Sequence, residues 1–177
     1  MKKVNKNLIV AIPLFLILLN TELSYCEGLD QKDLQYQFKI LPMIIAATNH
    51  FNQVSARINE FVEYPNVDLA SELCKDSKTS YTTIRTLGKN IASVKPGRVY
   101  LKYSQLLSQL FALRKAMLLL LMQSCASDPL FEMPDVWNSF KFRYEQLKEQ
   151  ISQVSSRLEE ELNIIDKSFQ NEQWYLV

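Results

Sequence analysis

The stretch YSQLLSQLFALRKAMLLLLM, residues 103–122, decides what kind of protein this chain can be. Drawn as a helix it has no face free of large apolar side chains, and such a helix belongs among other parts of its own protein. Arg114 and Lys115 interrupt it. Its longest unbroken apolar run, residues 116–122, is about a third of the roughly 20 residues that a bilayer crossing needs. The stretch reads as the central helix of a helical bundle.

The flanking sequence agrees. Only three glycines occur in 177 residues, whereas β-rich folds spend glycine on hairpin turns and bulges. Before the central stretch, residues 30–64 carry Leu34, Phe38, Leu41, Ile45, Phe51, Val54, Ile58 and Phe61, which we read as one helical face. Pro42 either kinks this helix or opens its main part, and Tyr64-Pro65-Asn66 ends it. A second helix over about 68–94, capped by Asn66 or Asp68, has the seam Leu73, Ser77, Ser80, Ile84, Leu87, Ile91, Val94. Its two serines leave room for large neighbours.

Lys95-Pro96-Gly97 is the clearest turn, read as proline fixing φ and glycine permitting a positive one. An antiparallel partner, the central helix, should follow to about residue 126. Residues 127–134 read as a loop laying Leu130 and Phe131 across the bundle end. The last helix is expected from an Asp135 N-cap to about residue 169. Its core positions are Phe140, Tyr144, Leu147, Ile151, Val154, Leu158, Leu162, Ile165 and Phe169, a heptad seam with one stutter. Its opposite face, with Glu145, Lys148, Glu149, Gln153, Glu159 and Glu160, should be solvated. The predicted fold is all-α, an antiparallel up-and-down four-helix bundle with a coiled-coil-like C-terminal helix.

Lys2, Lys3 and Lys6, then an apolar run over residues 8–19, then Ser24-Tyr25-Cys26 have the layout of a secretory signal peptide. Residues 1–26 are therefore expected to leave, with residues 27–177 forming a single domain. An uncleaved anchor or a lipoprotein acylated at Cys26 are the alternatives. Cleavage leaves Cys74 and Cys125, an even pair in an exported chain and hence a candidate disulfide. It would close a loop of about 50 residues, worth about 4 kcal/mol in the chain-entropy model. Helices folded back about Pro96 would set Cys125 opposite position 67, so the bridge needs a turn centred nearer Val99 or a staggered pair.

Constellations for catalysis are scarce. His50 is the only histidine, there is no paired Glu-x-x-His signature of a diiron bundle, and no glycine loop could cradle phosphate. We expect no cofactor, no metal and no enzyme. The charge map stands out instead. Residues 77–127 contain no acid but carry Lys78, Arg85, Lys89, Lys95, Arg98, Lys102, Arg114 and Lys115, between flanks of net negative charge. Two readings stay open. Either these cations pair with acids across helix edges, or the hairpin tip, with Lys89, Lys95, Arg98, Tyr100, Lys102 and Tyr103, meets an anionic partner such as lipid headgroups, acidic polysaccharide or an acidic protein face. Export argues against nucleic acid. Arg114 and Lys115 need outward paths or acids, with Glu159, Glu160 and Glu161 as candidates by charge. The C-terminal Trp174-Tyr175-Leu176-Val177 either packs back on the bundle or is a further candidate contact, a free apolar end of the kind peptide-binding grooves capture. The expectation is an exported interaction protein; the alternative is a carrier of a lipid or other apolar ligand between the helices.

Overall fold

The computed structural model describes residues 31–124 and 132–173, with side chains over 32–123 and 132–167. The leader with Cys26, and Cys125, Leu130, Phe131, the Phe169 side chain and Trp174, lie outside the described residues. Four helices follow in order: α1 (Gln31–Glu63), α2 (Val67–Ser93), α3 (Leu101–Ser124) and α4 (Pro134–Gln173). Consecutive helices pack on each other, and α4 closes on α1 through side chains. Phe61 meets Trp137 edge-on at 5.4 Å between centroids, and the Tyr144 hydroxyl donates to Asn59 Oδ1 at 2.7 Å. This is the up-and-down bundle that the helical periodicities predict.

Local signals explain where the helices begin. Asn66 caps α2, its side chain accepting from the Leu69 amide at 2.8 Å. Truncating it is expected to cost about 1 kcal/mol, so an Asn66→Ala variant should melt a few degrees lower in a circular-dichroism scan. The α4 start corrects an expectation. Pro134 is the first helical residue, where its missing N–H costs nothing. The first intrahelical bond, from the Trp137 amide, goes to the Met133 carbonyl at 2.9 Å. Met133 is thus the N-cap, and Asp135 is a first-turn residue favoured there by the helix dipole.

α1 runs through Pro42 without a break. The proline removes the donor for the Phe38 carbonyl four residues earlier, and both residues are exposed, so solvent can take that carbonyl.

The inward face of α1 also differs from expectation. From Phe51 onward the predicted positions are buried, but before it the buried residues are Asp33, Tyr36, Ile40 and Ala47, with Met43 and Ile44 packed against them. Leu34 is 38% and Phe38 71% exposed, while Leu41 and Ile45 are half-buried. Counting back from Phe51 in steps of four and three gives 47, 44, 40, 36 and 33, an unbroken stripe at helical period. The gap of six between Ile45 and Phe51 crosses to the other side of the helix.

The α2 seam is as predicted, with Leu73, Ser77, Ser80, Ile84 and Ile91 buried. α4 buries Phe140, Tyr144, Val154, Leu158 and Ile165, plus Glu161, which its seam did not include. α3 is less enclosed than its composition suggests. It buries Leu106, Leu107, Leu110, Phe111, Met117, Leu118 and Leu121, but Gln105, Ser108, Gln109, Ala112, Leu119 and Gln123 are exposed. Each helix of a four-helix bundle keeps an outer face, and α3 fills its own with polar and small residues plus Leu101 and Leu119.

Candidate functional site

The antiparallel arrangement brings the start of α1, the α2–α3 turn and the late turns of α4 to one end of the bundle. Contacts define this tip. Tyr36 and Tyr100 pack at 5.6 Å between ring centroids, Tyr100 and Tyr103 lie edge to face at 6.2 Å, and the Tyr100 hydroxyl donates to Gln37 Oε1 at 3.2 Å. Gly97 is buried directly against Asp33, a carboxylate only 1% exposed. No glycine among the described residues has a positive φ. Gly97 is therefore needed for close approach to Asp33, and not for the backbone freedom that the turn suggested.

Inside the tip, burial pushes the phenols up. Tyr100 is raised to about 12, by desolvation first and then by the negative charges of Asp33 and Asp166 and the neighbouring Tyr36. Tyr103 is raised further, chiefly by desolvation. Tyr36 is raised by desolvation, offset in part by Ser104, which stands close without meeting hydrogen-bond geometry, so the Tyr36 hydroxyl has no bonded partner. The tip interior is a layer of neutral phenols around one carboxylate.

The exterior differs. Lys89, Lys95 and Arg98 are exposed, and none has a carboxylate within 4.0 Å among the described residues; the ion pairs there are Arg57 with Glu72 and Asp76, Lys102 with Glu161, and Lys148 with Glu145. Lys102 is thus held by a Glu161 side chain that is 9% exposed. Tyr100 and Tyr103, read as tip contacts, are 5% and 7% exposed and turn inward, because the buried stripe of α3 begins at Tyr103. Of the hairpin cations at the tip, Lys89, Lys95 and Arg98 therefore have no carboxylate partner among the described residues. The opposite end of α1 and the start of α2 expose Glu60, Glu63 and Asp68, so charge is polarised along these two helices, while α4 exposes Arg143 at that end and Glu160 and Asp166 at the tip.

The pairing of the remaining basic residues also differs from expectation. Arg114 is 7% exposed and has no carboxylate among its partners: Nη1 donates to Thr48 Oγ1 at 3.2 Å, the guanidinium lies 5.0 Å from the centre of the Phe51 ring, and Nε is unpaired. Burial lowers its pKa to about 10. Glu161 does not reach it because the Lys102–Glu161 pair sets the α3–α4 register. Arg114 lies twelve residues further along α3, about 18 Å away at 1.5 Å per residue. Lys115 is half-buried.

Three tip residues had no place in the sequence-based site: Leu34, Phe38 and Lys39. Leu34 and Phe38 were assigned to the core, and the unbroken count back from Phe51 is the signal that moves them outside. Lys39 is exposed beside them.

Elsewhere, Cys74 is half-buried on α2 and His50 half-buried on α1. No group of three His, Cys, Asp or Glu capable of holding a metal ion occurs among the described residues. Two open clefts lie between α3 and α4, of about 340 and 320 Å³, the first lined by Gln109, Ala112, Leu113, Gln150, Gln153 and Val154. α3 is long and apolar enough to cross a membrane by length and composition, yet it packs as the core helix of this bundle. No protein-family model, curated protein or solved structure matches the chain.

Proposed function

We propose that this chain is an exported, non-enzymatic helical-bundle protein that presents its basic tip to an anionic partner. The observation that carries this reading is the set of exposed cations Lys89, Lys95 and Arg98 without carboxylate partners among the described residues, in a stretch, residues 77–127, that contains no acid. Cations left unpaired in this way attract an anionic surface over about one Debye length, roughly 8–10 Å at physiological salt.

Export would follow from the leader, and an oxidising compartment is supported by Cys74, whose sulfur is disulfide-bonded. Cys125 is the partner we assign. The register of the α2–α3 hairpin is favourable: Gly88 packs on Phe111, and the same antiparallel count sets Lys75 level with Ser124, the last residue of α3. That is the centre nearer Val99 that a bridge from Cys74 requires.

The alternative, a carrier of an apolar ligand, would need a chamber between the helices. The two clefts described above are open grooves on the α3–α4 face, so the tip reading is preferred.

The test replaces Lys89, Lys95 and Arg98 with glutamine and leaves Lys102 alone, since its removal would strand the buried Glu161 charge. Each cation near an anionic surface is worth about 1 kcal/mol, so affinity for immobilised heparin at low salt should fall about a hundredfold while the melting temperature stays within a degree or two. Unchanged retention would overturn the tip as the contact.

A further inference from the structure

We infer that the anionic partner of the tip is a lipid bilayer, entered by the outer stripe of α1; this rests on the basic-tip reading above. The first turns of α1 carry two apolar stripes. One faces the core through Tyr36, Ile40 and Ala47. The other, Leu34, Phe38, Leu41 and Ile45, has the same spacing of four and three and lies on the far side of the helix. Phe38 is 71% exposed, the largest exposure of any aromatic side chain described apart from the equally exposed Tyr64 at the opposite end. Folding gains nothing from an outward phenylalanine above an outward proline, and Pro42 is exposed one turn further on.

The outer stripe is confined to the tip half of α1. The next outward positions are Asn49 and Asn52, and the far end of the helix exposes Glu60 and Glu63. Along α1, apolar exposure and positive charge therefore coincide at the tip, and polar or acidic residues follow beyond it; the exposed Tyr64, Val67 and Phe142 at the opposite end lie off this helix. Lys39 lies on the α2-facing side of α1: relative to the outward Phe38 it is rotated about 100°, toward the flank on which Arg57 meets Glu72 and Asp76 of α2. Lys95 follows the Val94 C-cap of α2.

An apolar stripe with a large aromatic residue, edged by lysines, is the composition of helices that lie in a membrane interface. Anionic headgroups would meet Lys39, Lys95 and Arg98, while Phe38 and Leu34 enter the acyl boundary. A soluble polyanion would use the cations but has no place for Phe38. An acidic protein surface would use the cations too, yet would leave Leu34 and Phe38 without apolar cover. The bilayer accounts for both features with one surface.

The test uses residues 27–177, which retain every described residue and lack the apolar leader, in flotation with vesicles of phosphatidylcholine alone or with about one part in three phosphatidylglycerol. Binding is expected only to the anionic vesicles. Phe38→Ser is expected to reduce it about tenfold with heparin retention unchanged, because Phe38 contributes apolar area and no charge. Lys39, Lys95 and Arg98 replaced together by glutamine should reduce both. Because these four side chains are exposed, the variants should keep the parent melting temperature, and Leu34→Ser gives a second, independent removal of apolar area.

If heparin is retained through the three cations but anionic vesicles are not bound, or are bound equally well by the Phe38→Ser protein, the bilayer inference is overturned and the basic-tip reading stands. If the charge variant keeps both activities, the tip reading fails and the inference with it. Should sedimentation instead show a dimer that Phe38→Ser converts to monomer without any vesicle binding, the stripe is a contact between copies and the bilayer inference is likewise overturned.

Discussion

Gly97→Ala is expected to destabilise the bundle by about 2–3 kcal/mol, the upper end of what overpacking a closed site costs. The added Cβ would fall on the Asp33 carboxylate, within 2.5 Å of its farther oxygen. Asp33 has a short side chain, is 1% exposed, and is bounded by the Tyr36 and Tyr100 layer. Relief must therefore come from moving the α2–α3 turn away from the start of α1. Urea unfolding followed by circular dichroism would register the loss as a lower midpoint.

A control sits in the same hairpin. A Cβ on Gly88 would come 3.0 Å from Phe111 Cδ1, the edge of a ring that can turn, and alanine in a helix interior gains about 1 kcal/mol over glycine. Gly88→Ala should be close to neutral. Combining Gly97→Ala with Asp33→Ala should recover part of the loss, since the two changes share one contact. A Gly97→Ala protein of unchanged midpoint would show that the turn is not held by Asp33.

Arg114→Met is expected to raise stability at neutral pH by about 1–3 kcal/mol, because a buried cation without a carboxylate is replaced by an apolar side chain of similar reach. Arg114 now donates one hydrogen bond, to the neutral Thr48 hydroxyl, and lies over the face of Phe51. Thr48 loses its partner in the variant but can donate to a carbonyl of its own helix. If the variant is less stable at pH 7, the Thr48 and Phe51 contacts outweigh the cost of burial.

The pH dependence gives a second reading of the same residue. Burial lowers the folded pKa of Arg114 from 12.5 to about 10. The charged form is penalised in the fold, so its cost is fully present below about pH 10 and is relieved as pH rises toward 12.5. The tyrosines act in the opposite sense. Tyr36, Tyr100, Tyr103 and Tyr144 are raised above 10.0, each chiefly by desolvation, with Tyr100 and Tyr144 reaching about 12. Above pH 10 the unfolded chain loses phenolic protons that the folded chain keeps, so stability falls. In the parent protein Arg114 offsets one proton of this loss. The Arg114→Met protein should therefore lose stability more steeply between pH 10 and 12, by about 1.4 kcal/mol per pH unit for one proton. Urea midpoints measured across this range would show parallel curves if Arg114 did not titrate there.

Much of the fold is legible in periodicity. The α2 seam and the long α4 seam repeat in regular steps of four and three, and side chains three and four apart must share a helical face whatever they pack against. α1 was legible only from Phe51 onward, because its first half offers two stripes of equal period and similar apolarity. Tyr36 and Ile40 are no more apolar than Phe38 and Leu41, and composition cannot choose between them.

The candidate site shows the same division. The absence of acids over residues 77–127 is a property of the chain alone, and it places a basic hairpin between acidic flanks before any folding is considered. Which of those cations are free is not. Lys102 and Arg98 are four residues apart, but only the α3–α4 register puts a buried glutamate beside Lys102 and leaves Arg98 without one among the described residues. Likewise the tyrosines near the turn look like contact residues in sequence, and Tyr36 converts them into core by supplying a ring for Tyr100 to pack on.

Helix number, helix spans, turn positions and charge blocks thus depend on neighbours within about four residues, and the chain determines them directly. Which apolar stripe of α1 faces inward, which cations keep their charge unpaired and why Gly97 must be glycine depend on residues about 60 positions away. Only tertiary packing decides those, because burial and ion pairing are set by what approaches through space.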